Sequence, residues 1–389
     1  MNAEQVKAAF GFEVPDLPLD ASRNDTSMNQ LQFDSNEYTA LEDFAFNIID
    51  LPAKPATKRP SCKSLSVNGK VIQDKMEKYL AASGESSSAL KEVLKTPIHY
   101  LIYKNEKLEP KDVSHFNLGT FIHSAFLEPT KFDRVKVLPE GGVKNTINGL
   151  IKLINYYREL LCVKSNEVLE ERKLTELKEI LFDLEQAAEA QGYSFISAQD
   201  QQIVNIIRRS YKSYGGGIIP KLIANGRTEV SMYGKDESTG LKVKIRPDCI
   251  LLEEQVGANI ILSVKTTSAT SIEGFMRDAA KYRYELAEGM YLKVASEITG
   301  RPFTGTLMLI AQTCIPFQCA LLWLDAEDLA CGKYKYQQAM DIVKQCRESN
   351  SWPGFEAFAE DPELGIIKVN FPQYIKAELK PQYIPTRWL

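Results

Sequence analysis

No stretch of this chain approaches the ~20 uninterrupted apolar residues that a membrane-spanning helix needs. The opening Met1-Asn2-Ala3-Glu4-Gln5 lacks the basic segment and following apolar core of a secretory signal. Cysteine is sparse and scattered: seven residues, no CxxC pair, and a tightest spacing of Cys314 to Cys319. That argues against a zinc ribbon or a four-cysteine iron–sulfur site, and leaves the thiols as small core hydrophobes of a reducing compartment. The expected location is the cytoplasm. Positive charge is not in excess either, because 47 Lys and Arg against 51 Asp and Glu leave a net charge of −4. A polycation that coats nucleic acid by bulk attraction is excluded, whereas a local basic groove is not, since placement of charge matters as well as its sum. What is present is ordinary for a globular chain. At 44% hydrophobic and 25% charged, it is no disordered protein, collagen or coiled-coil rod. A length of 389 residues admits two or three domains of ~100–200 residues, or one large α/β domain with extensions.

Residues 1–75 read as an arm or small accessory region. Pro15, Pro18, Pro52, Pro55 and Pro60 interrupt any long helix, although the island Phe44-Ala45-Phe46-Asn47-Ile48-Ile49 could dock onto another surface. Residues 76–355 read as the main domain, and 356–389 as a tail. Ser86-Ser87-Ser88 caps a short helix that Thr96-Pro97 ends. Gly119 to Leu127 is a second helix, stopped at Glu128-Pro129, and 145–192 is helical by composition. Ser197 caps a further helix through Tyr211, broken by Gly215-Gly216-Gly217.

The pattern then changes. Leu241 to Arg246 alternates strictly, predicting a strand with one dry and one wet face, and Asn259 to Lys265 predicts a more buried strand. The polar, glycine-containing connection 253–258 predicts that these two form a hairpin. One helix is expected from Ser271 to about Ile298, then strands at Thr304–Gln312 and Cys319–Leu324, then a helix from Asp325 to Glu348.

Lys265 closes a run of buried strand formers, an awkward place for a cation unless something uses it. The hairpin would bring Asp248 beside it, and a partly buried salt bridge is the bland reading of that pair. On the following helix, Phe275, Ala279, Tyr282, Leu286, Met290 and Val294 make an apolar stripe. Arg277, Lys281, Tyr284, Glu288 and Tyr291 recur on another stripe, which suits a phosphate groove near a metal as well as an ordinary solvated face. His123 lies among apolar neighbours, where a histidine is more often a satisfied core group than a ligand.

Taken in order, these residues resemble the RecE group (exodeoxyribonuclease VIII-like) within the RecB-like branch of the PD-(D/E)xK nuclease superfamily, over roughly residues 80–355. The resemblance is carried by Ser88-Ala89-Leu90 with Thr96-Pro97-Ile98-His99-Tyr100, and by Gly119-Thr120 with His123 and Glu128-Pro129-Thr130-Lys131-Phe132. It continues through Glu229-Val230-Ser231, Thr239-Gly240, Arg246-Pro247-Asp248, Val264-Lys265-Thr266-Thr267, the helix from Tyr284 to Tyr291, and Ser351-Trp352-Pro353-Gly354-Phe355. Each piece alone is weak; the ordered set is strong.

The resemblance implies an α/β fold, a mixed central sheet flanked by helices, with helical additions. It implies Mg²⁺, or Mn²⁺ in its place, held by Asp248, His123 and the Val264 carbonyl, with Lys265 orienting or deprotonating the attacking water and Glu229 close by. Arg246, Thr266, Arg277, Lys281, Tyr284 and Tyr291 are the expected contacts to nucleic acid, joined by Lys242, Lys244 and Arg283. It further implies a 5′-to-3′ exonuclease on double-stranded DNA ends, a homo-oligomeric ring, a single-strand annealing protein as partner in recombination, and a bacterial or phage-infected host cytoplasm. Two departures stand out. The family's acid two residues before the lysine is Ser263 here, and its helix glutamine is Glu288. Either the carboxylate has moved from strand to helix, with Glu288 as catalytic and metal-ligating acid, or the protein is catalytically impaired and binds DNA ends.

Overall fold

The computed structural model describes residues 33–105, 114–165, 167–360 and 364–370, with the backbone alone for 114–117. Expectations for residues 1–32, for the His115 side chain and for the tail beyond 370 lie outside the described residues. Among the described residues two compact units divide the chain: one takes in 88–105 and those from 339 on, the other 33–87 and those from 114 to 338.

The second unit holds the chemistry. In chain order its main elements are α1 (Leu41–Ile48), β1 (Lys70–Ile72), α2 (Ser114–Leu127), β2 (Val135–Val137), α3 (Ile147–Leu160), α4 (Leu174–Ala190), β3 (Ser194–Ile196), α5 (Ala198–Ser213), β4 (Arg227–Thr228) and β5 (Ser231–Lys235). There follow β6 (Lys242–Ile245), β7 (Cys249–Leu251), β8 (Asn259–Thr267), α6 (Ile272–Lys281), α7 (Tyr284–Thr299), β9 (Phe303–Gln312) and β10 (Cys319–Trp323). A five-stranded sheet runs β10-β9-β8-β7-β4, with β8 and β9 parallel and the other pairs antiparallel. A three-stranded antiparallel sheet, β1-β5-β6, stands apart from it.

β8 is central because its sequence allows it to be: Ile260, Ile261 and Leu262 are fully buried, as a strand covered on both faces requires. Helices α2 and α5 pack on it through Ile122, Phe126, Val204 and Ile207, with Phe126 stacked on Tyr211 at 4.3 Å. Helices α3 and α4 build a separate apolar core around Leu153, Tyr157, Leu177 and Leu181.

Two expectations need correction. The hairpin partner of β8 is β7, registered Cys249 to Leu262, while β6 pairs with β5 in the other sheet. Pro247 has no N–H to continue a ladder, so the chain leaves one sheet at Arg246 and enters the other at Cys249. The segment before residue 75, expected as an arm or small accessory region, is from residue 33 on joined to the fold, and its 44–49 island docks on it. Phe44 is 1% exposed and stacks on Trp323 at 4.9 Å; burying one such side chain contributes ~1.5–3 kcal/mol. Its β1 supplies a strand to the smaller sheet. The single helix expected from Ser271 is two, because Arg283 adopts a left-handed backbone (φ 51°) between α6 and α7. Tyr282, placed on the apolar stripe by spacing, is 53% exposed at that break.

In the first unit the opening and closing motifs meet. Tyr100 stacks on Trp352 at 5.3 Å, Arg347 donates to its hydroxyl at 2.9 Å, and the Ile98 amide donates to the Pro353 carbonyl at 3.1 Å.

Candidate metal and phosphoryl-transfer centre

The centre begins with a glycine. A Cβ on Gly119 would lie 3.0 Å from Thr266 Oγ1, so the missing side chain lets α2 settle closely on β8. One turn later on the same helix face comes His123. Its Nε2 lies 3.1 Å from Asp248 Oδ1 and 3.5 Å from Glu229 Oε1.

Asp248 sits just before β7. Pairing of β7 with β8 stops at Leu262, and the Val264 amide, two residues beyond, donates to Asp248 Oδ2 at 2.6 Å. Glu229 falls between β4 and β5 with φ 56°. A non-glycine residue there costs of order 1–3 kcal/mol, and such strain gathers at functional sites. Here the conformation lets its amide donate to the Asp248 carbonyl at 3.0 Å, while Arg246 Nε donates to Glu229 Oε2 at 2.8 Å. One atom each from His123, Glu229 and Asp248 can be chosen so that all lie within 4.8 Å of one another.

Alternation along β8 puts Ser263 and Lys265 on one face. Ser263 and Glu288 are both completely buried. The Ser263 hydroxyl donates to Glu288 Oε2 at 2.7 Å, and Lys265 Nζ lies 3.5 Å from Glu288 Oε1, an oxygen with no hydrogen-bond partner. The Lys265 ammonium also lies over the Tyr284 ring, 5.3 Å from its centre.

Burial and charge set the ionisation. Burial pushes the Asp248 carboxyl up, but the hydrogen bond with His123 and the Lys265 charge outweigh it and hold it below the ordinary carboxylate range. Burial would lower Lys265, yet the Glu288 and Asp248 charges raise it, so it stays a cation at neutral pH. Burial raises Glu229 and Glu288, although Arg246 and Lys265 respectively pull them back. Burial would lower His123; the Asp248 hydrogen bond and charge raise it instead. Asp248, Glu229 and Glu288 thus lie among three basic groups, Lys265, Arg246 and His123.

These residues fit a hard divalent cation. Oxygen ligands and one imidazole suit Mg²⁺ or Mn²⁺. Neighbouring ligands on an octahedral ion with bonds of ~2.1 Å sit ~3 Å apart, close to the separations of His123 from Asp248 and Glu229. Val264 is seen through its amide, on Asp248.

The expected phosphate contacts divide. Arg277 and Lys281 are exposed on α6, but the break at Arg283 separates their stripe from Tyr284, Glu288 and Tyr291. Arg246 is corrected: its side chain is 7% exposed, and besides Glu229 it donates to Ser231 at 2.7 Å and to the Asp74 carbonyl at 3.0 Å. Lys244 is corrected too. It is buried, and its ammonium donates to the carbonyls of Tyr79, Leu80 and Ala82, the last acceptors of the helix Met76–Ala81, where a cation is favoured. Thr266 faces Gly119. Tyr291 is hydrogen-bonded to Ser87, and burial with the Asp248 and Glu288 charges raises its phenol. Sequence reasoning missed Asp74, which accepts from Arg246 and from the Tyr233 hydroxyl at 2.8 Å. No local pattern marks it, since it lies in a stretch read as an arm.

The family model described as a PDDEXK-like domain of unknown function (DUF3799) matches residues 86–359, well over half of the chain. The chain belongs to this family. The PD-(D/E)xK fold expected from the motifs is therefore the fold of this PDDEXK-like protein, and its mixed sheet with flanking helices is the one described above. A crystal structure from Eubacterium rectale, described as a "putative exonuclease", is similar at 14% identity with a TM-score of 0.42, over 79% of this chain and 99% of that one. No curated protein matches.

Proposed function

We propose that this PDDEXK-like protein is a divalent-metal-dependent nuclease that hydrolyses phosphodiester bonds at the ends of linear double-stranded DNA. The observation that carries this reading is the convergence of His123, Glu229 and Asp248 beside Lys265, a retained, half-buried cation. When bound, a divalent ion would neutralise charge on the phosphate and make water nucleophilic at neutral pH. Asp248, His123 and Glu229 would hold it. Lys265, kept protonated by two carboxylates, donates hydrogen bonds to the attacking water or the phosphate and steadies the charge that develops there. Arg246 fixes the orientation of Glu229 from behind, and Tyr284 covers the lysine.

Mg²⁺ as the working ion, 5′-to-3′ polarity, a ring assembly, an annealing-protein partner and a place in recombination in a bacterial or phage-infected cytoplasm follow from the RecE-like motifs. No described helix is long and apolar enough to cross a membrane. The rival reading, an impaired protein that only binds DNA, starts from Ser263. The carboxylate of Glu288 within hydrogen-bond reach of that serine favours the active reading. Incubation with linear duplex DNA and Mg²⁺ tests it: shortening from the ends, stopped by EDTA and absent in Lys265→Ala and Asp248→Asn, is the expected result. A parent protein that binds duplex DNA but leaves its length unchanged with both Mg²⁺ and Mn²⁺ would sink the nuclease reading.

A further inference from the structure

Ser263 and Glu288 form a pair that the nuclease reading uses but does not explain. A serine among Ile261, Leu262 and Val264 on a buried strand must satisfy its hydroxyl, and a carboxylate without exposure must be paired or costs stability. Each is the other's partner, through a short O–H···O⁻ bond of the charge-assisted kind. The bond uses Oε2 and leaves Oε1 on the side of Lys265, 3.5 Å from its ammonium. Backbone geometry stiffens the arrangement: a Cβ on Gly289 would meet the Gly332 carbonyl carbon at 2.2 Å, so α7 is clamped one residue from Glu288.

We propose that Ser263 is a positioning residue whose hydroxyl holds one oxygen of Glu288, so that the other is presented to the cation beside Asp248 and Lys265. The proposal rests on the reading of the centre as a cation-dependent nuclease, and it names how the acid missing from the strand is replaced. Glu288 acts from the helix, and Ser263, in the strand position, aims it. The hydroxyl is then part of the device and not the scar of a lost carboxylate.

Two readouts on the full chain test this: Mn²⁺ affinity by isothermal titration calorimetry, and kcat and KM on linear duplex DNA. Ser263→Ala is expected to weaken Mn²⁺ binding ~10- to 100-fold, the usual effect of removing a group that orients a ligand. It should lower kcat and leave KM for DNA within a factor of ~3, since a group acting only through the cation changes chemistry more than DNA binding. Glu288→Gln, which keeps the shape and can still accept from Ser263, should lose at least as much. The double variant should be no worse than Glu288→Gln, because both changes act through one oxygen.

Ser263→Ala binding Mn²⁺ like the parent overturns the positioning role. Glu288→Gln binding Mn²⁺ like the parent, while Asp248→Asn does not, overturns the ligand role of Glu288 and leaves the cation centre standing. An inert parent rescued by Ser263→Asp overturns the proposal from the other side, since the strand acid is then what catalysis lacks. A parent that binds Mn²⁺ through Glu288 yet cuts no DNA supports the positioning role and overturns the nuclease reading.

Discussion

Arg246 engages Glu229, Asp74 and Ser231 from one guanidinium, a use of several donors in a fixed fork that a lysine does not reproduce. Its removal would leave Glu229 buried and charged without its cation. Arg246→Ala is therefore expected to cost ~3–5 kcal/mol in urea unfolding, whereas Arg277→Ala, on the exposed face of α6, should stay within ~0.5 kcal/mol. Equal small effects from both would mean that Arg246 is not locked in place as described. Lys265→Ala should lower kcat ~10²- to 10⁴-fold, the scale of a lost positioned donor, and destabilise the fold as well, because it leaves the buried Glu288 without its cation. At this scale the motif showed that an arginine belongs beside Asp248. Alternation suggested that it points to solvent, and only the partner from residue 74, far away in the chain, turned it inward.

Among the elements, α7 and the helix Ala326–Ser349 cross backbone to backbone. A Cβ on Gly332 would sit 2.0 Å from the Glu285 carbonyl oxygen, a contact no side-chain rotation relieves. Gly332→Ala is expected to destabilise by ~1–3 kcal/mol or more and to lower nuclease activity through displacement of Glu288; unchanged stability in thermal melts would contradict that crossing. The turn between β5 and β6 depends on Asp236. It is fully buried, accepts from Ser238, Thr239 and Tyr336, and lies 3.9 Å from Lys293. Burial pushes its carboxyl up, but the hydrogen bonds from Thr239 and Ser238 outweigh this and depress it. A depressed acid stabilises the fold above its unfolded value, and that contribution drains away as pH falls through the folded value. Parent stability should thus drop as pH falls below 3.8, the ordinary value of the carboxyl, and Asp236→Asn should lower stability at neutral pH and flatten this acid limb in denaturant titrations carried from neutral pH to well below that value. An acid limb as steep as the parent's would remove Asp236 from that role.

For the whole molecule, a net charge of −4 means that the proposed nuclease would attract DNA by local cations against a repulsive average. Affinity for duplex DNA should fall steeply with salt, by ~0.9 in the logarithmic slope per phosphate neutralised. Arg277→Ala with Lys281→Ala should reduce that slope by ~2 if both touch phosphates, as measured by fluorescence anisotropy across salt concentrations. A slope unchanged by the pair would place the DNA path elsewhere. Arg246 and Lys244 do not enter this count, because both are spent on internal acceptors.

Much was determined by the sequence itself. The order of the motifs specified the PD-(D/E)xK fold, and strand periodicity marked β8, β9 and β10, because a buried strand needs a continuous apolar run. The caps at Ser197 and the glycines at 215–217 delimited α5, since those signals act within a few residues. Tertiary structure alone decided which strand pairs with β8, how residues 33–75 are used, where Arg246 and Lys244 point, and that Ser263 meets Glu288 across 25 positions of chain. Such outcomes depend on which groups far apart in the chain can satisfy one another once water is removed. Local propensity carries no information about a partner that only folding brings near.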